Sequence, residues 1–346
     1  MSCSLIAIMS PHPLFNCELT MTFKANWEKV DEHIQLPVQT IESMVKMAFP
    51  NKKMSSYKII SGGCANLNIQ INLEADNTPY ILRVYLRDNE AAYREKNLSL
   101  LLKRTVPIPQ VNFIGDYDNN RFAITEYIHG ITLRDLLLGT QSYDLNSIMF
   151  SVGKMLSIIQ TNRFDSAGFF NKELMVAEIT TKDALLQYDQ ESLNHTLVIQ
   201  TLGKEVITKI KLHIDHFKSY IPDDHDNHLV HGDFDPANIL VDIKNGQWEI
   251  TGILDWEFSF SGSPLWDVAN MLRYAHQMPV QFEQSFLKGL QEGYTLPPDF
   301  HISIYLLNLS SLLDCLARCS YGPHSNQCND IRALINFFIK QLDKAL

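Results

Sequence analysis

A two-lobed α+β fold is the class this sequence predicts, an antiparallel sheet built first and a larger helical lobe after it. Three observations carry that expectation. Short β-branched and aromatic segments crowd residues 57–128, helix-period apolar patterns take over from residue 130, and one hairpin signal, Asn245-Gly246, interrupts the helices. In chain order, Pro37 precedes a helix over 38–48, where Val38, Ile41, Met44, Val45 and Ala48 recur at helical spacing. Strands follow at Tyr57–Ile60, Leu67–Leu73 and Tyr80–Tyr85, separated by a Ser-Gly-Gly-Cys-Ala-Asn stretch and a turn around Asp76–Pro79. Residues 89–104 read as a helix, and two strands, Gln110–Tyr117 and Arg121–Ile128, complete a five-stranded antiparallel sheet. Beyond residue 130, Ile148, Val152, Met155, Leu156 and Ile159 mark one amphipathic helix and Val206, Ile210, Ile214 and Phe217 another. Ile239–Ile243 and Trp248–Ile253 flank the hairpin turn, and residues 264–346 carry several more helices.

Composition bounds the function. The chain has 346 residues, 45% hydrophobic, with 29 basic and 39 acidic side chains and a formal net charge of −10. A general nucleic-acid binder draws its affinity from phosphate neutralisation and should be basic, so no nucleic-acid partner is expected. Residues 1–128 hold 13 basic and 13 acidic side chains, so the whole excess of negative charge lies in 129–346, which holds 16 and 26. A field of one sign in one lobe attracts cationic partners. The six cysteines are scattered, without a CxxC pair or a dense framework, as expected of unpaired thiols in a reducing compartment. No run of 18 apolar residues exists, and residues 1–23 lack a basic n-region and a small-residue cleavage site. Residues 1–23 therefore read as a loose extension, with Met21 a possible second start, on a cytoplasmic protein with no membrane partner. The expected division is 24–128 for the first lobe and 129–346 for the second, in a monomer or weak dimer.

The hairpin is framed by the residues that carry chemistry. Before it stands His231-Gly232-Asp233-Phe234-Asp235-Pro236-Ala237-Asn238; after it stands Ile253-Leu254-Asp255-Trp256-Glu257. An aspartate, an asparagine five positions on, a hairpin and a second aspartate is the layout of a kinase catalytic loop and metal-binding segment. One carboxylate faces the acceptor hydroxyl. An amide oxygen and the second carboxylate supply the hard oxygens that Mg²⁺ prefers.

These motifs resemble those of the aminoglycoside phosphotransferase and choline kinase-like family, small-molecule kinases of protein-kinase-like fold. Protein kinases usually carry Arg where Gly232 stands, and Phe-Gly after the metal-binding aspartate. The resemblance implies Asp233 as catalytic base or hydroxyl orienter, Asn238 and Asp255 as Mg²⁺ ligands, and His231 and Asp267 as structural support, with Asp267 opening a long helix. Ser61 to Asn66 looks like the phosphate-covering loop, implicating Gly62, Gly63 and Asn66, because glycines let backbone N–H groups approach an anion. In Tyr80-Ile81-Leu82-Arg83-Val84-Tyr85, Arg83 stands where kinases keep the lysine that grips the α- and β-phosphates, a departure that preserves a cation but changes its geometry. Glu95 is its expected carboxylate partner, with Glu90 the alternative. Thr125 to Gly130 matches the hinge, where the backbone at Glu126 and Ile128 reads the purine of ATP, with GTP not excluded. Asp235 and Glu257 could serve a second metal or a substrate amine.

About 100 residues separate the hinge from His231, suiting a helical insertion that builds a substrate pocket. Only eleven residues lie between Asp255 and Asp267, too few for a long activation segment, so peptide substrates are not expected. The resemblance implies a Mg²⁺- and nucleotide-dependent kinase of a small-molecule hydroxyl. The acidic second lobe puts a cationic acceptor first, an aminoglycoside or similar amino sugar, then choline; homoserine and other metabolites stay open. A pseudokinase acting as a nucleotide-binding module is the alternative of another class. The acceptor pocket is expected between Asp233, residues 140–220 and the C-terminal helices, and to be more acidic than the nucleotide cleft.

Overall fold

The computed structural model describes residues 22–28, 36–60 and 66–346. Strands β1 (Met54–Ile60), β2 (Asn66–Leu73), β3 (Tyr80–Tyr85), β4 (Val111–Tyr117) and β5 (Asn120–Glu126) form one sheet in the order β1-β2-β3-β5-β4. Every neighbouring pair is antiparallel. The period of two in the sequence decides its faces. Leu67, Ile69, Ile71 and Leu73 of β2, with Leu82 and Val84 of β3, pack against Ile41, Met44 and Val45 of helix α1 (Val38–Ala48). Arg83 and Tyr85, the odd positions of β3, therefore point to the opposite face, where Tyr85 packs with Ala91 and Ala92 of α2 (Ala91–Leu102). The β4–β5 turn uses Asp118 and Asn119 at positive φ, as the Asp-Asn-Asn signal implies.

The second part holds α3 (Leu133–Leu138), α4 (Leu145–Ile159), α5 (Lys182–Leu193), α6 (Thr196–Phe217), α7 (Leu265–Leu272), α8 (Gln281–Leu290), α9 (Phe300–Ala317) and α10 (Asn326–Asp343). The expected hairpin is β10 (Ile239–Lys244) and β11 (Gln247–Ile253), extended by β6 (Ile131–Thr132) pairing Val241 with Ile131. A second small sheet, absent from the sequence reading, runs β8-β7-β12-β9 through Val176–Ile179, Gly168–Phe170, Phe260–Gly262 and His228–Val230. Strands of three or four residues are too short to show a period. Helix α9 is the one described helix long and apolar enough to cross a membrane, and its packing against α7 and α10 accounts for that composition.

Two expectations about boundaries change. Residues 22–28 lie on the helical part rather than starting the sheet lobe at residue 24, and Phe23, expected to be loose, is 2% exposed in the helical core. Trp27 Nε1 donates to Asp330 Oδ2 at 2.7 Å, and the Glu28 carboxylate accepts from the N–H groups of Asn326 and Gln327. The rest of the extension, 1–21, lies outside the described residues.

The floor of the helical part depends on the crossing of α4 and α8. A Cβ on Gly153 would sit 1.9 Å from the Phe286 carbonyl oxygen, and one on Gly289 2.0 Å from that of Phe150. Both clashes are with backbone, which cannot rotate away. Gly153→Ala is expected to cost at least about 2–4 kcal/mol of stability, read as a lowered midpoint in urea denaturation.

Candidate active site

The loop following β9 is held by one buried carboxylate. Asp267 accepts from the N–H of His231 at 2.8 Å and of Gly232 at 3.0 Å. Burial pushes this carboxyl up to about 7, with the two N–H donors pulling back. Helix α7, which carries it in its first turn, has eight residues and is not the long helix expected. Asn270, one turn further on, donates to the Gly232 carbonyl at 3.0 Å. Gly232 itself has φ +86°, and a Cβ there would lie 2.3 Å from the Phe258 carbonyl oxygen. His231 is fully buried, its ring 4.5 Å from that of Trp256. Its Nε2 meets the Leu254 carbonyl at 2.8 Å and its Nδ1 accepts from the Asp233 N–H at 3.2 Å. Those two contacts select the neutral tautomer protonated at Nε2, and burial lowers the ring's basicity in the same direction. His231 thus links the loop to the segment at Leu254.

Beyond His231 the loop folds on itself. Asn238 Nδ2 donates to both the carbonyl and Oδ2 of Asp233, each at 2.9 Å. This commits the amide nitrogen to the loop and leaves the amide oxygen as the atom able to bind a cation. The hairpin returns the chain, Ile253 opposite Ile239, and the Leu254 N–H donates to the Asn238 carbonyl at 2.8 Å. Asp255 therefore lies beside Asn238, in the left-handed region at φ 65°. No group of three or more His, Cys, Asp or Glu among the described residues is arranged to hold a metal. One amide and one carboxylate nevertheless fit Mg²⁺, which keeps waters and takes phosphate oxygens for the rest of its octahedron.

Arg83 reaches this point from β3. Its Nη2 is 2.6 Å from Asp255 Oδ1, 3.3 Å from Glu95 and 3.6 Å from Glu257. The expected pairing with Glu95 is present, but Asp255 is closer; Glu90 sits exposed before α2, outside the cluster. Tyr85 donates to Glu95 at 2.5 Å, and Asn66 Nδ2 to Glu257 at 2.8 Å. Burial raises the Glu95 carboxyl against the pull of Arg83. Burial and then the Asp255 charge push Glu257 up to about 8. Both carboxyls are thereby raised, and the shortest contact of Arg83 is with Asp255. Burial works against the Arg83 charge, but Glu95 and Asp255 outweigh it.

The remaining predicted residues divide. Gly62 and Gly63 lie outside the described residues. Asn66 is buried, its amide on Glu257 and its oxygen accepting from the Leu86 N–H at 3.3 Å, so it braces the cleft. Glu126 ends β5, and Ile128 lies beyond that strand, its side chain over Gly252 of β11. Asp235 is buried and accepts from the Ala237 N–H at 2.8 Å. One site residue was missed. Lys24 Nζ lies 3.0 Å from Asp233 Oδ1 and also contacts Asp235. Burial opposes the ionisation of Asp233, and Lys24 overrides it, lowering that carboxyl below its ordinary range.

The model of the phosphotransferase enzyme family (APH) matches residues 56–302. The chain belongs to that family. The hygromycin-B 4-O-kinase of Escherichia coli is 25% identical over 171 residues, 48% of this chain and 47% of its own length. The match thus spans about half of that relative. The crystal structure of aminoglycoside phosphotransferase APH(4)-Ia superposes with a TM-score of 0.68 at 18% identity, over 88% of this chain and 99% of that one. A thermostable mutant of the same phosphotransferase, solved as a ternary complex with AMP-PNP and hygromycin B, gives 0.66 at 19%, over 87% and 98%. The GDP and kanamycin complex of APH(2")-IIia gives 0.64 at 16%, over 88% and 98%. At these identities the likeness is one of fold, the protein-kinase-like fold of aminoglycoside kinases.

Gly232→Ala should displace the loop, because it adds strained φ to a clash with backbone. The expected result is a folded protein destabilised by about 2–4 kcal/mol in urea titrations, with the Trp256 fluorescence environment altered.

Proposed function

We propose that the chain is a Mg²⁺-dependent kinase that transfers the γ-phosphoryl group of ATP or GTP to a hydroxyl of a small cationic acceptor, an aminoglycoside or similar amino sugar before others. The observation that carries this reading is the convergence of Asp233, Asn238 and Asp255 on one loop–hairpin unit, with Arg83 reaching them from the sheet. In this reading residues 36–128 carry most of the nucleotide contacts and 129–346 the acceptor. Backbone groups from Glu126 to Ile128 meet the purine. Asn238 through its amide oxygen, and Asp255, would hold Mg²⁺, which neutralises charge on the phosphates when bound. Arg83 grips phosphate oxygens. Asp233, braced by Asn238, orients the acceptor hydroxyl and takes its proton late, since a loose transition state demands little proton removal early. Asp235 faces an acceptor amine, while Glu257, bonded by the Asn66 amide, braces the cleft. The nucleotides and aminoglycosides named with the solved relatives support both halves of this reading.

A panel of hygromycin B, kanamycin, gentamicin, choline and homoserine, scored by acceptor-stimulated ADP release, tests it. Stimulation by an amino sugar is expected; stimulation only by a neutral or zwitterionic acceptor would overturn the cationic assignment and leave the kinase.

Asp233→Asn is expected to lower kcat by about 10²–10⁴-fold while nucleotide Kd stays within about threefold, because its contacts go to the acceptor. Asp255→Ala should remove Mg²⁺-dependent turnover altogether. Near-normal kcat in either variant would show that the assigned loop is not catalytic.

A further inference from the structure

Lys24 lies on a segment fastened at both ends to the helical part. Ahead of it, Phe23 sits with ring centroids 5.3 Å from Tyr274 and 6.2 Å from Phe282. Behind it, Trp27 donates to Asp330, and Glu28 caps the first N–H groups of α10 at 2.6 and 3.1 Å. Between these anchors the Lys24 ammonium contacts both Asp233 and Asp235. Asp233 Oδ2 is already taken by Asn238, so Lys24 occupies the other oxygen, the one an acceptor hydroxyl would need.

We propose that residues 22–28 form an autoinhibitory strap, in which Lys24 stands in for an acceptor amine and a cationic acceptor must displace it. This rests on the kinase reading above and extends it to acceptor choice. Withdrawing Lys24 leaves two adjacent carboxylates, the Asp235 side chain only 7% exposed, without their shared cation. A buried charge stripped of its partner is strongly unfavourable. A neutral acceptor leaves that cost standing, whereas an acceptor ammonium replaces one cation with another. The strap thus selects against neutral hydroxyl compounds and against water.

The test reads acceptor-independent hydrolysis of Mg²⁺-ATP, since a blocked Asp233 is blocked to water as well. Lys24→Ala and Lys24→Gln should raise the hydrolysis rate at least about threefold, and Lys24→Arg should keep the wild-type rate. Phe23→Ala, which loosens the anchor and keeps the cation, should move in the same direction. Ethylammonium chloride at tens of millimolar should lower the raised rate of Lys24→Ala toward wild type while leaving wild type unaffected. An unchanged or lowered rate in both neutral Lys24 variants overturns the strap and leaves the kinase reading intact. Failure of both to fold, judged by thermal melting, also overturns it, because Lys24 would then be a structural ion pair. Absence of ATP turnover in wild type and every variant, with or without acceptor, sinks the kinase reading and the strap together.

Discussion

Two backbone N–H groups on one buried carboxylate hold the unit from which the candidate site is built. Asp267 takes the N–H groups of His231 and Gly232, and with them it sets where Asp233 leaves β9. The unit closes through a short series of contacts, each involving the one before. His231 ties the loop to Leu254, Asn238 ties the loop to itself, and Leu254 ties the hairpin exit to Asn238. A fully buried carboxylate is costly unless its oxygens are satisfied, and here both are met by groups that would otherwise be orphaned at a strand end. The positive φ of Gly232 lets the chain turn under Phe258 to reach this arrangement.

The charges of the cleft follow from the same economy of partners. Five carboxyl groups lie within reach of Arg83 and Lys24: Glu95, Asp255 and Glu257 about the first, Asp233 and Asp235 about the second. Burial and clustered like charges raise a carboxyl's pKa, whereas a neighbouring cation lowers it. Glu95 and Glu257 move up under burial, while Asp233 moves down beside Lys24. Asp233, in contact with Lys24, and Asp255, in contact with Arg83, flank Asn238.

Much of this was legible in the sequence because it is local. Asp233, Asn238, the Asn245-Gly246 turn and Asp255 are set by spacing within one stretch, and β2 and β3 by alternation within single strands. The sheet β8-β7-β12-β9 was not legible, since its strands are too short to carry a period and β12 pairs with β7 and β9 across tens of positions. Asn66 with Glu257 and Lys24 with Asp233 were hidden for a related reason. Each pairs residues about 200 positions apart, and nothing in the segment around Lys24 sets that lysine apart from its neighbours. The sequence named Glu95 for Arg83 on helical position, yet could not rank it against Asp255, because only the folded cleft brings both to one guanidinium.

Helix α2 explains how a sheet and a helical body share one site. The apolar face of the sheet forms its own core with α1, apart from that of the helical part. Leu98 and Leu102, in the last turns of α2, belong to the helical core together with Val106 and Ile108, although these residues fall inside the stretch expected to be the first lobe. Glu95 lies one turn before Leu98 on that helix, so its position is referred to the body that carries Asp233 and Asp255. The contacts from β2 and β3 to the loop–hairpin unit are polar: Arg83 with Asp255 and Asn66 with Glu257. Polar contacts can exchange for water at small net cost, whereas separating packed leucines exposes apolar surface at about 25 cal/mol per Å². Helix α2 is tied to the sheet as well, by Tyr85 packed with Ala91 and Ala92 and bonded to Glu95. It therefore joins both bodies, while the contacts of Arg83 with Asp255 and Asn66 with Glu257 are the ones water can replace.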